Sequence, residues 1–198
     1  MTTSTAPAAA ALAVCVFCGA RSGNRPAMVA AAREIGSLIG ARSHHLVYGA
    51  GGSGLMGEVA RSAQLNGSAV TGYAPRFIYE RERGIDMPSQ TLHITEDLFE
   101  RKRRMIEHAD AFIALPGGYG TLDEIMEVLC LRYLDVRDKP LILLNIDGFW
   151  RGLVRLADEL HEAGFTSRGS AAMLHLAATP AEAVDLAERL ARTAACGA

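Results

Sequence analysis

The sequence predicts an α/β fold in which a doubly wound, mostly parallel sheet carries helices on both faces. Two observations predict it. Short apolar runs alternate with longer amphipathic stretches along nearly the whole chain, the pattern of strands and crossover helices in a parallel sheet. Glycine clusters follow three of the apolar runs, at the strand ends where such sheets bind ligands. The chain has 198 residues, the size of one domain with its own core. No repeat or linker divides it. We expect a flexible tail over 1–10, rich in Ala and Thr, and a single Rossmann-like domain over 11–195.

The elements follow in order. Residues 12–17 are an apolar run too short for a helix and form the first strand, followed by a helix over 26–39. A strand at 46–48 leads into a helix over 55–65, and strands at 69–73 and 92–94 into a helix over 98–108. The strand at 111–115 precedes a helix over 122–133, in which Leu122, Ile125, Met126, Leu129 and Tyr133 share one face. A strand at 141–145, a helix over 150–162, a strand at 174–177 and a helix over 181–192 complete the series. The longest irregular stretch, 75–91, contains Arg76, Glu80, Arg81, Glu82, Arg83 and Asp86. A stretch of that length without structure is either a binding loop or a solvated crossing.

Composition excludes several functions. The 20 basic and 22 acidic residues leave a net charge of −2, which speaks against nucleic acid as a partner. No apolar run is long enough to span a membrane. The apolar segment 8–18 has no Lys or Arg before Arg21, so it lacks the charged start of a secretory signal. Cys15 and Cys18 form a C-x-x-C with no second ligand pair; they read as buried thiols of a cytoplasmic protein, and no metal is expected.

The three glycine clusters are Gly19–Gly23, Gly49–Gly57 and Gly117–Gly120, and they hold ten of the 20 glycines. The second matches G-x-G-x-x-G through Gly49, Gly51 and Gly54, yet no acid ends the following strand to hold a dinucleotide ribose. None of the clusters carries the Lys of a triphosphate-binding loop. Binding of a single phosphate remains. Gly117, Gly118 and Gly120 lack side chains, so backbone N–H groups can close on an anion where a helix begins, with Thr121 adding a hydroxyl. Glu124 admits two readings: Thr121-Leu122-Asp123-Glu124 has the form of a capping box, and the same carboxylate lies within reach of a ligand on the loop. The run Arg101-Lys102-Arg103-Arg104 is either a solvated helix face or a row of ligand contacts.

Arg101-Lys102 together with Pro116-Gly117-Gly118-Tyr119-Gly120-Thr121-Leu122-Asp123-Glu124 resembles the Lonely Guy family of cytokinin riboside 5′-monophosphate phosphoribohydrolases, which carry an R-K pair and P-G-G-x-G-T-x-x-E. The likeness runs from Cys15 to about Phe165 and includes Val16-Phe17-Cys18-Gly19, Gly54-Leu55-Met56-Gly57 and Asp138-Lys139-Pro140. Departures are Leu98 for a frequent Met, Ala20-Arg21 in a commonly Ser-rich loop, Ala50 within a glycine run, and Cys130 where plant members often have Thr. The resemblance implies hydrolysis of the N-glycosidic bond of an N6-modified or plain adenosine 5′-monophosphate, without a cofactor. It implies Arg101 and Glu124 as catalytic residues. It also implies substrate contacts from Gly19, Ser22, Arg81, Glu82, Lys102, Gly117, Gly118, Tyr119, Gly120 and Thr121, and a homodimer. Members are often labelled lysine decarboxylases, but a pyridoxal enzyme needs a Schiff-base lysine, and the only lysines are Lys102 and Lys139. The rival expectation is a nucleotide or molybdenum-cofactor carrier of the same fold, which would bind a phosphate ligand without consuming it.

Overall fold

In the computed structural model, which describes residues 11–82, 84–86, 88 and 91–196, the chain runs β1 (Ala13–Phe17), α1 (Pro26–Ala41), β2 (His45–Tyr48), α2 (Gly54–Leu65), β3 (Val70–Pro75), α3 (Arg76–Arg81) and β4 (Thr91–Thr95). It continues with α4 (Leu98–His108), β5 (Ala111–Ala114), α5 (Tyr119–Tyr133), β6 (Leu141–Leu144), α6 (Arg151–Glu162), α7 (Ser170–Met173), β7 (His175–Ala177) and α8 (Pro180–Cys196). All seven strands form one sheet in the order β4-β3-β2-β1-β5-β6-β7. Every neighbouring pair is parallel. The expected tail over 1–10 lies outside the described residues.

Side chains alternate across each strand, and the sheet is buried on both sides. Val14 and Val16 of β1 join Leu46, Tyr48, Ile113 and Ile142 in a core that takes in residues of α1, α2 and α8. Cys15 and Phe17 point the other way, into a core with Phe112, Leu141, Leu143, Met105 of α4 and Ile125 of α5. The near-continuous apolar runs seen in the sequence are the consequence of this double burial.

The stretch 75–91 is less irregular than expected. β3 extends to Pro75, and α3 follows directly. The helix buries no residue completely, so it leaves no core-facing stripe in the sequence. α5 begins at Tyr119, three positions before the expected start; Gly118 and Gly120 masked its first turn, because glycine reads as a break. The strand order reverses between β1 and β5, and the carboxyl ends of these two strands define the crevice where such sheets take ligands.

Candidate active site

The loops after β1 and β5 meet across the switch point. Leu115 N–H donates to Phe17 O at 2.9 Å and Gly19 N–H to Pro116 O at 3.1 Å. On its other side Gly19 O accepts from Leu55 and Met56 N–H at 3.1 and 3.3 Å, which ties in the start of α2. Gly19 thus spends both backbone groups on holding loops together and forms wall. These loops, with α3 and α4, enclose a cleft of about 670 Å³.

Gly118 is the N-cap of α5, so the N–H groups of Tyr119, Gly120 and Thr121 have no intrahelical acceptor. The first bond inward runs from Leu122 N–H to Gly118 O at 3.0 Å. The helix opens on the cleft, where its dipole favours an anion. The three glycines here differ in purpose. A Cβ on Gly117 would lie 2.1 Å from Thr121 Oγ1, whereas one on Gly118 or Gly120 would meet nothing within 4 Å. Gly117 makes room for Thr121; Gly118 and Gly120 leave space open.

Glu124 faces the same cleft from α5 and is buried. Its Oε1 accepts from Arg101 Nη2 of α4 at 2.9 Å, and both side chains are about nine-tenths covered. Burial pushes the Glu124 carboxyl above its ordinary range, with Asp123 adding to the shift and Arg101 and Lys102 opposing it. Beneath it, burial and then the Glu124 charge push the Cys18 thiol well up. The capping-box reading of Glu124 is corrected: the helix starts at Tyr119, Thr121 already lies inside it, and the Glu124 carboxylate pairs with Arg101.

The basic run divides by helical position. Arg101 enters the cleft. Lys102 is buried and turned to the outer flank of α5, with Nζ 2.8 Å from Asp123 Oδ1 and 3.2 Å from Glu127 Oε2. Arg103 and Arg104 pair with Glu107 and Glu100 on the surface of their own helix. Of the remaining expected contacts, Gly19, Gly117, Gly118, Gly120, Thr121 and Arg81 line the cleft. Tyr119, 91% exposed, and Ser22, also exposed, do not line it, and neither does Glu82 at the end of α3.

Sequence reasoning missed the apolar wall. Met28, Leu55, Met56, Phe77, Ile78, Leu98 and Phe149 line the cleft along with the charged pair. Phe77 and Ile78 sit among charged residues of α3, and Arg81 lies over the Phe77 ring at 5.9 Å. The signals in the sequence were Leu55-Met56 within the second glycine cluster and Leu98 at a position often Met in the family.

Residues 56–187 match the family described as "Possible lysine decarboxylase". The chain is 43% identical over 155 residues to the "Probable cytokinin riboside 5'-monophosphate phosphoribohydrolase LOG4" of Oryza sativa subsp. japonica, a match covering 77% of this chain and 66% of the rice protein. It is 38% identical over 178 residues to the "Cytokinin riboside 5'-monophosphate phosphoribohydrolase LOG3" of Arabidopsis thaliana, covering 90% and 82%. Among solved structures, the Moco carrier protein of Chlamydomonas reinhardtii superposes with a TM-score of 0.71 over 93% of this chain and 99% of its own, at 19% identity. At that identity the likeness is one of fold.

Proposed function

This chain belongs to the Lonely Guy family of cytokinin riboside 5′-monophosphate phosphoribohydrolases, and from that premise we propose that it hydrolyses the N-glycosidic bond of an adenosine 5′-monophosphate, N6-modified or plain. The observation that carries the reading is the buried Arg101–Glu124 pair at 2.9 Å in the cleft onto which the α5 N-terminus opens. The phosphate sits on the free N–H groups of α5 beside Thr121. Departure of the base leaves an oxocarbenium-like sugar, whose charge the Glu124 carboxylate stabilises. Water oxygen bonds to the anomeric carbon as the C–N bond breaks, and one water proton ends on the base. Arg101 orients Glu124 and the substrate. The apolar wall, with Phe77 and Phe149, receives the base.

A pyridoxal-dependent decarboxylase needs a free lysine amine, and the residues do not fit one. Lys102 Nζ is held by Asp123 and Glu127, and Lys139 Nζ donates to the carbonyls of Ile106, Glu107 and Ala109 at the end of α4. Neither lysine lines the cleft.

The same reading takes 11–195 as one catalytic unit, because a single sheet carries every described strand. It takes the protein as cytoplasmic, in keeping with the unbridged Cys15, Cys18 and Cys130; no helix among the described residues is long and apolar enough to cross a membrane. It also takes the working form as a homodimer. Exposed Met126 and Leu156 flank an apolar groove between α5 and α6, a face suited to a second copy; sedimentation as a monomer at micromolar concentration would remove that part.

The activity is tested by incubating the protein with AMP, isopentenyladenosine monophosphate and adenosine, and measuring free base and ribose 5-phosphate. Release from a monophosphate and little from adenosine is expected, since phosphate binding energy is spent at the reacting centre. Tight binding without release from any monophosphate would instead favour a carrier.

A further inference from the structure

We propose that Gly49, at the end of β2, is a positioning residue: its missing side chain is the seat of the Arg101 guanidinium that meets Glu124. The inference rests on the reading above, in which Arg101 and Glu124 form the catalytic pair. A Cβ on Gly49 would lie 1.9 Å from Arg101 Nη2, 2.8 Å from Cζ and 3.3 Å from Nε. Nη2 is the same nitrogen that donates to Glu124 Oε1 at 2.9 Å. Gly49 is buried and is absent from the cleft lining, so it acts on the ligand only through Arg101.

Conformation gives no other reason for glycine here. Gly49 is not among the residues of positive φ, which include its neighbour Ala50 at 59°. Of the other glycines of this cluster, Gly52 meets Asp86 O at 2.1 Å, Gly54 the Ala20 carbonyl at 2.4 Å and Gly57 the Gly52 O at 2.3 Å, while Gly51 meets the Met56 side chain at 3.1 Å. Gly49 alone in the cluster faces a catalytic side chain. Because that neighbour is the end of a flexible side chain, Gly49→Ala is accommodated by moving the guanidinium. Restoring van der Waals separation requires a shift of roughly 1.5–2 Å, which breaks the contact with Glu124.

The test measures base release from AMP or isopentenyladenosine monophosphate. For Gly49→Ala, kcat falls by about 10²-fold, the cost of an ångström-scale misplacement, while KM changes by less than about threefold. The acid limb of the pH–rate profile moves upward, because Glu124 loses the charge that opposes its protonation. Gly152→Ala, on α6 with nothing within 4 Å of the added Cβ, keeps wild-type values. In the Arg101→Ala background the Gly49→Ala loss disappears, since both changes remove one interaction.

Thermal unfolding reads the same contact without activity. Gly49→Ala lowers Tm by roughly 2–4 °C in the wild-type background and not beside Arg101→Ala. Unchanged kcat and pH profile overturn the proposal, as does a loss that adds in full to that of Arg101→Ala. A Gly49→Ala chain that fails to fold and is not rescued by Arg101→Ala overturns it too, by making the glycine structural. A wild type that releases no base defeats the proposed activity, while the unfolding cycle still decides the Gly49 contact.

Discussion

Arg101 and Lys102 are adjacent in sequence and opposite in duty. Helical geometry sends Arg101 to the cleft and Lys102 to Asp123 and Glu127. Lys102→Met keeps the aliphatic stem and removes the tie between α4 and α5. Its two partners are half-exposed, so the expected loss is about 0.5–1 kcal/mol in denaturant unfolding, with kcat/KM within about threefold of wild type. A drop in kcat/KM of the size seen for an Arg101 variant would return Lys102 to the substrate. Glu124→Gln is expected to fold and to lose about 10²-fold or more in kcat. Full activity in that variant defeats the catalytic assignment. The Glu124 carboxyl titrates above its ordinary range, chiefly through burial. Activity that needs its carboxylate therefore fails, as pH falls, at a higher pH than an exposed glutamate would set.

Among the elements, the start of α5 separates packing from binding. Gly117→Ala collides with Thr121 Oγ1 and should lower Tm, by roughly 2–4 °C per kcal/mol of strain. Gly118→Ala meets no protein atom and replaces one tolerated N-cap by a poorer one, a modest cost to stability. It fills space at the start of α5, where we propose the phosphate binds, so the expected effect is a KM for the nucleoside monophosphate raised about tenfold, or ~1.4 kcal/mol. Kinetics and thermal melts on the two variants check this, and an unchanged KM for Gly118→Ala would move the phosphate elsewhere. The second glycine cluster was legible as a loop at the ligand edge and not by its role. Gly49, Gly52 and Gly54 serve contacts with distant chain segments, which a local pattern does not encode.

At the scale of the molecule, the end of the sheet opposite the cleft carries a pH dependence. His45, at the start of β2, donates to or accepts from Thr71 Oγ1 at 2.8 Å and packs edge-on against His108 at 5.0 Å. His108 Nδ1 meets the Tyr73 hydroxyl at 2.9 Å, and Tyr73 stacks on His93. Burial first lowers the pKa of both His45 and His108. The His108 ring adds to the shift of His45; His93 and Lys139 add to that of His108, and Asp110 opposes it. Burial lowers His175 likewise. Unfolded histidines bind protons near pH ~6.5 while these folded ones resist, so stability is complete above that pH and is lost as pH falls below it. Tm is expected to fall from pH 7 to pH 5, and His108→Gln should blunt the fall. A flat Tm across that range would remove the histidines from the account.

The sequence by itself determined the parallel α/β class, the chain order of the strands and the helix start. Of that helix start, the sequence held its place at the glycine loop, and its binding of an anion belongs to the proposed function; these readings rest on apolar periodicity and on glycines adjacent to the elements they join. It also held the pair Arg101 and Glu124, through a motif. Tertiary structure alone decided that Lys102 ties helices, that Gly19 spends its backbone on the loops beside it, and that α3 brings Phe77 to the cleft. It also decided that Gly49 lies against Arg101. The physical reason is that each of these depends on which surfaces meet when distant segments pack. Periodicity fixes the face a residue occupies on its own element, and only packing selects what stands across from that face.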